Sequence, residues 1–227
     1  MSLDGFPAAL KYFHSPSTAP AQAHEADICI YGANSAGIAA AIQVRRMGKS
    51  CVLLEFGRHL GGLTSGGLGA TDIGNKMAIG GISREFYRRL GKHYGNAENW
   101  TFEPHVAEDL YREMLAEAGV TVHFEHQLDK VRMADGRITE ISFLNGSTCR
   151  AKVFLDCTYE GDLMARAGCA YTVGREGNER YDEAYNGVAF GHPSHNFITF
   201  VDPYRVPGDA ASGLLPASLL ICAVLGS

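Results

Sequence analysis

The segment DICIYGANSAGIAAAIQVRRMGKSCVLLE, residues 27–55, leaves this chain few folds to choose from. Ile28-Cys29-Ile30-Tyr31 is a short apolar run suited to a buried parallel strand, and it leads directly into Gly32. From Ser35 the apolar residues take helical spacing, with Ile38, Ala41, Ile42 and Met47 on one face and Gly48 as the stop. Residues 50–54 read as a second apolar strand that ends on Glu55. Strand, glycine turn, helix, strand and acid in this order form the layout of a dinucleotide-binding βαβ unit, so an α/β fold with a parallel sheet is expected.

Each residue type has a physical task in that layout. Gly32 lets the chain turn sharply out of the strand, and Gly37, followed by Ala39, Ala40 and Ala41, lets the helix pack closely on the sheet. The helix N-terminus at Asn34, Ser35 and Ala36 offers free N–H groups and a positive dipole end to a pyrophosphate. Asn34 stands where the fingerprint has its middle glycine. Asn tolerates left-handed or irregular backbone better than other side chains, so the turn is expected to survive, with a narrower approach. Glu55 is placed to accept hydrogen bonds from ribose hydroxyls, and its charge repels a 2′-phosphate, which argues against NADP. The competing reading is a βαβ unit whose glycines serve packing alone; Glu55 weighs against it.

The segment after Glu55 decides which dinucleotide fits. Glycine supplies 27 of 227 residues, where an average chain would hold about 16, and the excess is concentrated between Gly57 and Gly81. A simple NAD domain would pass from its second strand to another short helix. Here the chain enters FGRHLGGLTSGGLGATD, residues 56–72, whose backbone N–H groups suit a phosphate or the edge of a ring system. With Arg58-His59-Leu60-Gly61-Gly62 matching an R-x-x-G-G doublet, the chain resembles the FAD-dependent oxidoreductases of the glutathione-reductase-like superfamily. Many of these carry a second basic residue after the doublet, where this chain has Leu63. The resemblance implies FAD as cofactor. It implies contacts from the turn (Gly32, Asn34, Ser35, Ala36, Gly37), from Glu55, Phe56 and Arg58, and from the doublet loop (Gly61, Gly62, Leu63, Thr64, Ser65). Leu128, Cys157 and Thr158 complete the set.

The resemblance continues downstream. Residues 106–118 read as an amphipathic helix with Leu110, Met114 and Leu115 on one side. Residues 120–156 read as strands joined by Asp135-Gly136 and Asn145-Gly146 hairpin turns, a β-meander inserted before the chain returns to the sheet at 152–156. That strand would deliver DCTYEGD to the cofactor's edge. The segments IGGISREFYRRL, DCTYEGDLMARAG and DPYRVPGDAASGLLP resemble a bacterial subgroup of FAD-dependent oxidoreductases, over residues 26 to about 216. The expected organisation is a mobile leader (1–24), a Rossmann-like FAD-binding domain (25–170), and the incomplete beginning of a substrate domain (171–227). The chain thus reads as truncated, its last dozen residues foreign to the parent frame by composition. Substrate-binding and catalytic residues are expected beyond it, and none is assigned.

Other features exclude function classes. The net charge is −5 and basic residues cluster no further than Arg45-Arg46 and Arg88-Arg89, so no nucleic-acid partner is expected. The six cysteines form no C-x-x-C pair and suit small buried side chains in a reducing, cytoplasmic setting. No run reaches membrane-spanning length. His123 and His126 on one strand would face opposite sides of the sheet, and the His192/His195 pair lacks carboxylate support, so no metal is expected. In DCTYEGD, Asp156, Glu160 and Asp162 read either as a helix cap by Asp162 and a polar turn or as a cofactor edge; the two are compatible. Arg175, Tyr181 and Tyr185 read as surface residues more readily than as a substrate face. The chain is expected to be the FAD-binding portion of an oxidoreductase acting by hydride transfer on a small-molecule substrate. Two alternatives stay open: an NAD-binding dehydrogenase domain, which leaves the glycine-rich loop and meander without purpose, and a non-catalytic Rossmann-like fragment that homo-oligomerises.

Overall fold

The computed structural model describes residues 20–174, 176–183, 202 and 204–214. Most of the expected leader, Arg175, Tyr185, His192, His195, Cys222 and the last dozen residues lie outside the described residues. The chain divides into two compact units, Met1–Tyr171 and Thr172–Ser227.

The first unit is a mixed α/β domain on one six-stranded sheet. Strands β1 (Ala23–Tyr31), β2 (Cys51–Leu54), β3 (Val122–His123), β4 (Leu128–Ala134), β5 (Arg137–Phe143) and β6 (Thr148–Asp156) lie in the order β3-β2-β1-β6-β5-β4. β1 runs parallel to both β2 and β6, and β2 parallel to β3, whereas β4, β5 and β6 pair antiparallel as the meander. The helices are α1 (Ser35–Arg46), α2 (Gly81–His93), α3 (Pro104–Glu117) and the short α4 (Asp162–Arg166). Both hairpin turns form where the Asp-Gly and Asn-Gly pairs sit. Asp135 and Gly136 take φ of 50° and 72°, the left-handed pair that suits the twist of the flanking strands, and Phe143 N–H closes the second turn on Ser147 O at 3.0 Å.

β1 is longer than the apolar run suggests. Its first residues pair Ala23 with Thr148 and His24 with Cys149, beyond the apolar stretch that carries a periodic signal. Alternation along the central strands feeds two cores. Ile30 and Leu53 point to a cluster with Ile38, Ile42, Phe86, Leu90, Leu110, Met114 and Leu115 beneath the helices. Cys29, Tyr31, Val52 and Leu54 point to the other side, where they meet Leu128, Ile141, Phe143, Cys149 and Leu163. Burial on both faces is why these strands read as unbroken apolar runs. On the outside, Arg89 on α2 binds Glu85 within its own helix and Glu117 on α3, while Arg46 on α1 reaches Glu85. Such partly exposed surface pairs contribute on the order of 1 kcal/mol or less each, so packing more than charge holds the helices.

In the second unit the described residues include an antiparallel hairpin of β7 (Tyr204–Val206) and β8 (Asp209–Leu214). The Asp202 carboxylate accepts from Tyr204 N at 2.9 Å and Gly208 N at 2.7 Å, which fixes its turn.

Candidate functional site

The turn after β1 is built by close backbone approach. Gly32 has φ of 101° and donates to Leu54 O at 2.8 Å; a Cβ on it would stand 2.7 Å from the Cys157 carbonyl oxygen. Cys157 N–H in turn donates to Tyr31 O at 2.8 Å, so the chain leaving β6 runs directly against the turn. A Cβ on Gly37 would fall on the Gly32 carbonyl oxygen. Its missing side chain therefore makes room for the turn itself and, next, for the Cys157 side chain, where helix-on-sheet packing was expected.

Asn34 departs from the expectation more fully. Its backbone is extended, at φ −74° and ψ −176°, so tolerance of left-handed backbone plays no part in its presence. It is the N-cap of α1: Oδ1 accepts from Ala36 N at 3.0 Å and Gly37 N at 3.1 Å, while Nδ2 donates to Cys157 O. The side chain is 8% exposed and occupies two of the first-turn donors that an anion at this helix end would use. Ser35 and Ala36 lie exposed beside it.

Glu55 ends β2 as a buried carboxylate, 6% exposed. Oε2 accepts from Ala33 N and Oε1 from Gly57 N, both at 2.7 Å, so the acid ties the dinucleotide turn to the start of the glycine-rich loop. Each oxygen retains a second lone-pair direction, which leaves capacity for one further donor apiece. Its backbone also links outward, from Glu55 N to His123 O at 2.8 Å and from His126 N to Glu55 O at 2.9 Å. Phe56 is exposed, its carbonyl held by Gln127 Nε2 at 2.8 Å; Arg58 is engaged with Glu125, Nη2 to Oε1 2.5 Å.

The glycine doublet lies against the same turn. Gly61 N donates to Ala33 O at 2.8 Å, and Gly61 forms an isolated parallel bridge with Asn34. Gly61 and Gly62 take φ of 90° and 56°. A Cβ on Gly61 would press on the Tyr111 ring and Ser65 Oγ, and one on Gly62 on Asn34 and the Tyr159 hydroxyl. Burial pushes the Tyr111 phenol pKa upward. Tyr159 accepts from Leu63 N at 2.7 Å through its hydroxyl and so bridges the loop to the segment after β6, a role with no sequence signature. Ser65 Oγ donates to Leu60 O. Beside the α1 N-terminus, Ser35, Thr64, Ile82, Phe86 and Tyr111 line a cavity of about 120 Å³, room for a small group only.

DCTYEGD reaches the turn through Cys157 and Thr158. Its capping residue is Asp156, not Asp162: the Asp156 carboxylate accepts from Thr158 N, Thr158 Oγ1 and Met164 N at 2.9, 2.7 and 2.8 Å. Asp162 is the first residue of α4, with Gly161 as an N-cap at φ 72°. Leu128 contributes its side chain to the core under the meander, and its N–H donates to the Tyr31 hydroxyl at 3.0 Å. Burial raises that phenol to about 12.

The rule that His123 and His126 must diverge also fails. β3 ends at His123, and Glu125 takes φ of 59°, which turns the chain back. His126, 5% exposed, brings Nε2 to 3.3 Å from His24 Nε2 on β1. Among the described residues no group of three or more His, Cys, Asp or Glu is arranged to hold a metal ion.

These residues fit a dinucleotide. A helix N-terminus opens at Ser35 and Ala36, a buried acid with spare acceptor capacity closes the neighbouring strand, and a doublet too tight for side chains lies across from both. The condition is that Asn34 Oδ1 give up the two amides it holds.

The family described as FAD dependent oxidoreductase matches residues 27–209. Comparison with curated proteins finds no match. Among solved structures, the L-amino acid deaminase from Proteus myxofaciens in complex with anthranilate is 15% identical, with a TM-score of 0.51 over 72% of this chain and 52% of that one. The L-amino acid deaminase from Proteus vulgaris is also 15% identical, with a TM-score of 0.50 over 72% of this chain and 54% of that one. The chain thus spans about half the length of these structures, and at this identity the likeness is one of fold.

Proposed function

The chain belongs to the FAD dependent oxidoreductase family, and from that premise we propose that residues 25–170 are the FAD-binding part of an enzyme of the glutathione-reductase-like kind. Residues 171–227 begin its substrate domain. The substrate is a small molecule oxidised or reduced by hydride transfer, chemistry that FAD supplies when bound.

The chain's own residues do the holding. The positive end of α1, with the Ala36 and Gly37 amides, binds the pyrophosphate once Asn34 Oδ1 releases them. Glu55 accepts from ribose hydroxyls with the lone pairs left after Ala33 and Gly57 are served. The doublet loop from Gly61 to Ser65, with Leu63 N already turned to Tyr159, backs the cofactor from one side; Cys157 and Thr158 do so from the other. Phe56 and Arg58 lie at the Glu55 end. The observation that carries this reading is the Glu55 carboxylate, buried and bonded to the amide of Ala33 inside the turn.

FAD is preferred to NAD because the glycine-rich loop is bonded into the turn through Gly61 N and Ala33 O, which gives it a purpose that an NAD domain does not need. A cytoplasmic setting is part of the same reading, supported by the free state of Cys29, Cys51, Cys149, Cys157 and Cys169. Among the described residues no helix is long and apolar enough to cross a membrane. The test is the visible spectrum of the purified chain, followed by calorimetric titration with FAD and with NAD. Flavin absorbance, or FAD binding at least ten times tighter than NAD, is expected; NAD binding with no FAD binding overturns the reading.

A further inference from the structure

The three imidazoles of His24, His123 and His126 belong to none of the contacts described for the dinucleotide. His24 comes from the start of β1, His123 from the end of β3, and His126 from the segment that Glu125 folds back. The His24 and His123 rings lie 4.2 Å apart between centroids, and His24 and His126 5.3 Å.

The bonding of His126 fixes its tautomer. Nδ1 lies 2.7 Å from the Phe124 carbonyl oxygen, which only accepts, so Nδ1 carries the proton and Nε2 presents a bare lone pair. An imidazole whose far nitrogen donates to a backbone carbonyl is oriented as metal-binding histidines are. That lone pair faces His24 Nε2 at 3.3 Å. Two imidazole nitrogens sharing one tetrahedral zinc at about 2.0–2.1 Å stand about 3.3–3.4 Å apart, which matches the observed spacing. Burial lowers all three pKa values, and neighbouring rings add to this for His24, which falls to about 4, and for His123.

We propose that His24 and His126 form a two-histidine site for a borderline divalent cation such as Zn²⁺, with water completing the coordination and the His123 ring beside His24. Loading requires that the His24 proton move to Nδ1 and that both Nε2 lone pairs turn to the ion. The ion would pin the start of β1 to the segment that follows β3. This site stands or falls independently of FAD binding.

The probe is Zn²⁺ added by calorimetry to the full chain after chelator treatment, at neutral pH. One saturable site per chain is expected. It should be weakened at least tenfold by His24→Gln and left unchanged by His59→Gln, an exposed imidazole paired with Glu108. Since His126 is nearly buried, its part is read in the wild-type chain, as a Zn²⁺-dependent shift of the His24 and His126 ring resonances. Absence of saturable binding leaves an N–H···N contact only and overturns the proposal. So does unchanged affinity in a folded His24→Gln chain, or a Zn²⁺ titration that leaves both rings unmoved.

Discussion

At the scale of single residues, Asn34 decides how the turn behaves. Its Oδ1 serves the same two amides that an anion would, so it caps the helix and competes with a cofactor phosphate at once. Asn34→Gly should cost about 1 kcal/mol in stability, mostly from the lost bond to Cys157 O, since glycine is itself a tolerable N-cap, while raising FAD affinity. Asn34→Asp keeps the cap acceptor but turns a carboxylate oxygen toward the Cys157 carbonyl that Nδ2 serves and places a charge at the pyrophosphate; it should lower the melting temperature and lower FAD affinity at least tenfold by calorimetry. Glu55 offers the complementary case. In Glu55→Gln one oxygen becomes an NH₂ facing an amide N–H, and a loss of about 1–3 kcal/mol in urea unfolding is expected, with weakened FAD binding. The spacing of Gly32, Gly37 and Glu55 was legible in the sequence because each meets a constraint that few residue types satisfy. The cap at Asn34 and the Tyr159 bridge were not: one is a side-chain rotamer and the other a contact between residues far apart in the chain.

At the scale of elements, the pairing of β1 with β6 is held at the surface as well as in the core. The Asp27 carboxylate binds Lys152 Nζ on β6 at 2.7 Å and accepts from the Ser50 N–H and hydroxyl ahead of β2. The Lys152 bond, then those from Ser50, depress the Asp27 pKa. A carboxylate held below its unfolded value of about 3.9 contributes stability above that pH and loses it as pH falls toward the folded value. Asp27→Asn should therefore flatten the acid limb of a stability-versus-pH curve below about pH 4 and leave the curve's shape above pH 6 unchanged. The βαβ unit, the amphipathic α3 and both hairpins could be seen in advance through periodicity and Asp-Gly and Asn-Gly turns. The start of β1 could not, as its Ala23 to Ala26 stretch mixes apolar and polar residues. α4 carried a misleading signal. Asp162 looks like its cap, yet Asp156, six positions earlier in sequence, accepts from Met164 N because the intervening turn folds back.

At the scale of the whole molecule, the first unit carries both cores and all the proposed cofactor contacts. The sheet order sets this arrangement: β1 lies between β2 and β6, so the turn after β1, the acid after β2 and the Cys157 segment after β6 all emerge at one edge. That is where ligands gather in parallel α/β sheets. The sharpest test is hydrogen exchange of the full chain with and without saturating FAD. Slowed exchange is expected in amides at 35–37, 57–65 and 157–159, with the meander hairpin at 135–136 unchanged. FAD binding that leaves 35–37 and 57–65 at their unliganded rates, or protects a different region, would contradict the placement of the cofactor at this turn.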